Sequence, residues 1–243
     1  MTEESSVFRG PQGPLGLLHS QDVESLRPAL RSGLKELRLS MSDQQIELIL
    51  RYVGLLNKWG GVYNLTAIKD SDQILVQHVL DCLSIVNPLK DRIGSAAHIL
   101  DVGSGAGLPA VMIAIACPSM QVVALDAVAK KMAFVQQTAL QLGLKNLVAK
   151  HARIENIESN DFDLVVSRAF ASLTDFIEGT KGALKEGGIW LAMKGRVPSD
   201  EIEVLPEGFV VREVETLLVP GMFAERCLVW IARNPRNPDV KSG

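Results

Sequence analysis

The sequence predicts an α/β fold: a mostly parallel, Rossmann-like sheet covered on both faces, with a helical cap in front of it. Three observations predict it. From His98 onward, short apolar runs alternate with helical ones, which is the order of a parallel sheet crossed by helices. The first run, HILDV, leads straight into GSGAG, a glycine-dense turn at a strand-to-helix junction. Before residue 96 the apolar residues keep helical spacing, and no β-branched alternation occurs.

Each element follows in order. Residues 1–20, acidic at the start and rich in Gly and Pro, are expected to be disordered. Residues 21–95 form the helical cap. In SDQQIELILRYVGLLNKW, Ser42 is an N-cap, and Ile46, Ile49, Val53 and Leu56 share a face. The polar loop GGVYNLTAIKDS ends that helix, and DQILVQHVLDCLSIV is the next. Residues 96–233 are the α/β domain. Its strands are HILDV, QVVALD, NLVAK, FDLVVS and GIWLAMK, and FVVREVETLLV and RCLVWIA close the sheet as a hairpin. Its helices are LPAVMIAIAC, opened by Pro109; AKKMAFVQQTALQLG, ended by Gly143; and LTDFIEGTKGALKEGG. Residues 234–243 are a short basic tail.

The 243 residues carry 47 % hydrophobic and 22 % charged side chains, an ordinary globular balance. Cys82, Cys117 and Cys227 are far apart and odd in number. That argues against a disulfide framework and against a zinc site, and suits a cytoplasmic protein. The N-terminus lacks the pattern of a signal peptide, and no apolar run approaches the ~20 residues that span a bilayer. A net charge of −3 speaks against a general nucleic-acid binder but leaves room for a local basic patch.

The glycine turn points to a ligand beyond the carboxyl ends of the strands. Its spacing is G-x-G-x-G, with Leu108 where a dinucleotide fingerprint has its third glycine, and no P-loop Lys follows. Asp101, at the threshold, would repel a pyrophosphate and welcome a cation. Asp126, ending the second strand, can accept both hydroxyls of a ribose. Together they fit a phosphate-free nucleoside with a cationic end, which describes S-adenosylmethionine. Each acid alone also has a plain reading as a helix N-cap.

At this point LDVGSGAG and LDA resemble the class I S-adenosylmethionine-dependent methyltransferases. YNLTAI, HVLDCLSI, VGSGAGLP, KKMAFV, VSRAFASL, LAMKG and ERCLVW occur in that order from about residue 42 to 233. Together they resemble the RsmG (GidB) family, bacterial methyltransferases of a guanine N7 in small-subunit ribosomal RNA. The resemblance implies a seven-stranded methyltransferase sheet with an N-terminal helical cap, S-adenosylmethionine as cofactor, and guanine 527 of 16S ribosomal RNA as target. It implies Gly103, Gly105 and Leu108 at the methionine end of the cofactor, Asp126, Ala127 and Val128 at the ribose and adenine, and Ile154 and Glu155 at the adenine edge. Arg168 would lie at the mouth shared by cofactor and substrate, with Lys194 the second candidate catalytic residue. Asn64, His78, Lys194 and Arg226 would face the RNA. Neither metal nor membrane is implied, and a monomer is expected. The chain departs from the family at Ala110, which replaces Gly, at Ala127, which replaces Ser, and at Cys227. There a His is usual, and its loss removes a possible hydrogen bond near the RNA.

The chemistry agrees with that reading. Guanine N7 carries an in-plane lone pair and needs positioning more than a general base. The sequence holds no Ser-His-Asp order, and RAFAS stands where amino-group methyltransferases carry N-P-P-[YF]. Plainer readings stand beside it. Arg168 could pair with a structural acid, His78 could be a structural hydrogen-bonder, and Asn64 could cap a loop. The tryptophans would be core and the cysteines inert. A non-catalytic S-adenosylmethionine- or RNA-binding assembly factor is the alternative of another class. An NAD-dependent oxidoreductase is a third, opposed by the glycine spacing and Asp101.

Overall fold

The computed structural model describes residues 23–157, 160–168 and 170–235. The expected disordered segment 1–20 and most of the basic tail, including Arg236 and Lys241, lie outside the described residues.

The helical part opens with α1 (Arg27–Glu36) and the long α2 (Asp43–Tyr63). Ser42 caps α2 as expected. Its hydroxyl accepts from Gln45 N–H, and the Gln45 side chain accepts from Ser42 N–H, a reciprocal capping box. Asn64 closes the helix in the left-handed region (φ 52°). The stretch read as one regular helix is composite. It runs as α3 (Ser71–Ile74), a π-helical segment over Leu75–Leu80, and α4 (Asp81–Leu83), before α5 (Val86–Ile93). Hydrogen bonds reaching one residue further widen the π turns, so side chains beyond them leave the positions that a regular helix would give.

The sheet follows: β1 (His98–Val102), β2 (Gln121–Asp126), β3 (Leu147–His151), β4 (Phe162–Ser167), β5 (Leu184–Lys194), β6 (Phe209–Leu217) and β7 (Arg226–Arg233). Its helices are α6 (Ala110–Ala116), α7 (Ala129–Leu142), α8 (Leu173–Thr180) and the short α9 (Ser199–Glu203). The strand order is β3-β2-β1-β4-β5-β7-β6, parallel except where β7 runs between β5 and β6. Order reverses between β1 and β4, so the crevice of such a sheet opens over the carboxyl ends of these two strands. One boundary differs from the sequence reading. The helix expected over 173–188 ends at Thr180, and β5 begins at Leu184. Leu184 pairs with Phe162 and Ile189 with Leu164, so the intervening KEGG bulges out of the ladder.

A single apolar cluster runs from Leu30, Ile49 and Leu56 of the helical part to Ile99, Val122 and Leu164 of the sheet. Each such fully buried side chain contributes about 1.5–3 kcal/mol. Polar ties cross the same seam. Tyr52 O–H donates to Ala106 O at 3.1 Å, and the Gln45 side chain donates to Ile115 O at 2.8 Å. Trp190 and Trp230 are core as expected, while Trp59 is half-buried against it. All three cysteines are buried and free, and burial pushes the Cys82 thiol up to about 12. No described helix is long and apolar enough to cross a membrane.

Candidate active site

The GSGAG turn is held from below by main-chain bonds. Gly103 and Ser104 N–H both donate to Leu125 O, at 2.9 and 3.0 Å. Gly103, Gly105 and Gly107 take φ of 72°, 59° and 89°, a region in which side chains are strained. At Gly107 a Cβ would also fall 2.7 Å from Val111 Cγ2.

Asp126 fixes the turn against the next strand. Its Oδ2 accepts from Gly105 N–H at 3.0 Å, and its Oδ1 accepts from Val128 N–H at 2.9 Å. Lys131 Nζ stands 3.7 Å away. Each carboxylate oxygen keeps acceptor capacity beyond its one main-chain bond.

Asp101 differs from the sequence expectation. It lies fully buried behind the turn, and the cleft lining does not include it. Its Oδ2 accepts from the Ser104 hydroxyl at 2.5 Å and from Ala110 N–H at 3.0 Å, bracing the turn against the start of α6. Its Oδ1 has no hydrogen-bond partner. Burial pushes the carboxyl up to about 6, against the opposing pull of those two bonds.

A cleft of about 350 Å³ opens over the ends of β1, β2 and β4. Gly103, Asp126, Ala127, Ile154 and Glu155 line it, joined by Phe170. Gly105, Leu108 and Val128 do not. Gly105 serves the turn through its N–H, Leu108 is buried in the core, and Val128 supplies its N–H to Asp126. Arg153, Ala171 and Asp175 also line the cleft and were not singled out from the sequence. They sit in loops and a helix start, with no spacing that marks them.

The expected cations stand at the same edge of the sheet, each held by an acid. Arg168 directs Nη1 to Asp81 Oδ2 at 3.2 Å and to Gln77 O at 3.3 Å. Arg226 directs Nε to Asp81 Oδ1 at 3.0 Å. Asp81 is 2 % exposed and was not proposed from the sequence, although it is the D of the quoted HVLD. Lys194 Nζ lies 2.9 Å from Glu201 Oε2, which also accepts from Leu173 N–H at the start of α8. His78 Nε2 lies 2.7 Å from the Thr66 hydroxyl, and burial, then Arg168, lowers its pKa. Asn64 is exposed at the end of α2, its N–H donating to Gly60 O.

Comparison with known proteins agrees with this architecture. A family model described as rRNA small subunit methyltransferase G (GidB) matches residues 45–229. The ribosomal RNA small subunit methyltransferase G of Methylibium petroleiphilum is 47 % identical over 213 residues, 87 % of this chain and 96 % of that protein. The protein of the same name from Acidovorax ebreus is 49 % identical over 216 residues, 85 % and 95 % of the two chains. Among solved structures, TrmN from Thermus thermophilus superposes with a TM-score of 0.51 at 18 % identity, over 66 % of this chain and 53 % of TrmN. This likeness speaks to the α/β fold alone. With most of its length matched by the family model and by relatives near half identity, the chain belongs to the rRNA small subunit methyltransferase G family.

Proposed function

We propose that this enzyme transfers the methyl group of S-adenosylmethionine to N7 of a guanine, the family's guanine 527, in 16S ribosomal RNA of the small subunit. The observation that carries the reading is the Asp126 corner: a glycine turn hung on one carboxylate, at the floor of a cleft of about 350 Å³. The residues fit a phosphate-free nucleoside. Asp126 has acceptor capacity left for two ribose hydroxyls, Ile154 and Phe170 offer apolar walls for a flat base, and the turn presents no phosphate-binding Lys. The unpartnered Asp101 Oδ1 below adds negative potential that suits a cationic ligand and opposes a pyrophosphate.

When bound, the cofactor supplies a methyl group made electrophilic by its sulfonium. In this reading Gly103 keeps the space at the turn clear, Asp126 and Ala127 hold the ribose, and Ile154 and Glu155 flank the adenine. Arg168, Lys194 and Arg226 supply positive charge where the RNA approaches, with Asn64 and His78 on the helical side. The guanine N7 lone pair needs no proton removed, so these groups orient the base and do no proton transfer. The base must leave its stack, which an RNA loop permits more cheaply than a duplex. The division into a helical cap over 21–95 and a methyltransferase domain over 96–233 is part of the same reading.

Mass mapping of small-subunit RNA from cells lacking the protein tests it: one guanine should lack its methyl group there and regain it on complementation. Replacing the target by 7-deazaguanine should stop transfer while leaving RNA binding intact. Methylation of the 7-deaza substrate would overturn the N7 assignment.

A further inference from the structure

Among the described residues, Asp81 is the one carboxylate in contact with two of the cations at the sheet edge, and the proposed chemistry gives it no role. It comes from the helical part, just after the π segment, and is 2 % exposed. Its two oxygens are shared out, Oδ2 to Arg168 from the loop after β4 and Oδ1 to Arg226 at the start of β7. The arginines lie 87 and 145 residues further along the chain. Each keeps about a quarter of its side chain exposed, so the cluster has a dry acid beneath and two wet cations above. Gln77 O takes a second bond from Arg168, and Glu225 O takes one from Arg226. Two residues beyond Arg168, Phe170 lines the cleft.

A buried carboxylate contributes little to stability over an apolar side chain of like volume, because desolvation offsets the attraction. It does fix geometry. Arg226 uses only Nε on Asp81, which leaves Nη2 without a bond to that acid. We infer that Asp81 is a positioning residue for methyl transfer: it locks the Arg168 and Arg226 guanidiniums, from two ends of the chain, into one fixed pair that receives the RNA beside the cleft. The cost is charge. One carboxylate cancels half of the positive charge that would otherwise attract phosphate, so Asp81 trades RNA affinity for orientation.

That trade separates positioning from plain structural support, and it rests on the methyltransferase reading. The test is Asp81→Asn in the full chain, with labelled S-adenosylmethionine and small ribosomal subunits under single-turnover conditions. Transfer should slow about 10- to 100-fold, the scale of a misplacement near 1 Å. Cofactor affinity should stay within about twofold, and RNA affinity should equal or exceed wild type. In an Arg168→Ala background the same change should add little, because the two residues act as a unit. Arg226→Lys, which keeps the charge and loses the fixed guanidinium, should also slow transfer while RNA affinity holds; this variant serves if Asp81→Asn does not fold. Wild-type rates in the folded variants, or a fall in RNA affinity and cofactor affinity alongside the rate, would overturn the inference. Wild-type enzyme that transfers no methyl to the subunits would overturn the methyltransferase reading itself.

Discussion

Two nearly dry aspartates organise the two sides of this sheet edge, and they do so by different means. Asp126 is 8 % exposed and takes its bonds from main-chain N–H groups of Gly105 and Val128. Asp81 is 2 % exposed and takes its bonds from two arginine side chains. Main-chain donors are placed by backbone angles, so the Asp126 corner depends on the glycines that permit those angles. Side-chain donors are placed by packing, so the Asp81 cluster depends on three elements meeting. The first arrangement is local and rigid, suited to one small ligand. The second spans the seam between helical part and sheet, and suits a large partner that touches both.

The sharpest way to break the comparison is at the turn. Gly103→Val should abolish cofactor binding by calorimetry, since it forces a β-branched residue to φ near 72° and fills the cleft. Gly107→Ala should act on the fold instead, because its Cβ meets Val111 and the position does not line the cleft. Denaturant melts should find it destabilised by about 1–3 kcal/mol. Normal cofactor affinity in Gly103→Val would make the turn purely structural.

Asp101 predicts a pH effect on stability of about 3 kcal/mol, spread over the range between its unfolded and folded pKa. Burial pushes its carboxyl up to about 6 in the folded protein, from the ordinary 3.8. The folded state therefore binds the extra proton between those values, and stability rises as pH falls from 6 towards 4. Asp101→Asn removes this dependence. Denaturation of the two proteins at pH 7 and pH 5 should show wild type gaining on the variant at the lower pH; parallel curves would refute the burial argument.

Asp126→Ala should weaken cofactor binding by about 1.5–3 kcal/mol, the range for charged hydrogen bonds. It should leave RNA binding unchanged, because the Asp81 cluster is untouched. Unchanged cofactor affinity in a folded protein would defeat the assignment.

The smallest effect belongs to the cations. Arg226→Ala should reduce the slope of log affinity for RNA against log salt by about 1, with cofactor affinity retained. Lys194→Ala should act in the same direction but more weakly, because Glu201 already neutralises it. A loss of cofactor affinity of equal size would move these residues into the cleft.

Much of this was determined by the sequence alone. Strand and helix order, the glycine turn, Asp126, the Ser42 cap and the Gly143 cap are all local: each follows from residues within a few positions and from backbone angles that few residue types adopt. Tertiary structure decided the rest. Only the approach of α6 and the turn showed that Asp101 braces the loop and does not line the cleft. The π segment is invisible to a period of 3.6 residues, so Asp81 passed as one more position on an amphipathic helix. Above all, that one aspartate would hold Arg168 and Arg226 could not be read from spacing. Long-range pairing is set by how β4, β7 and the helical part pack, and no local preference along the chain encodes where three distant side chains will meet.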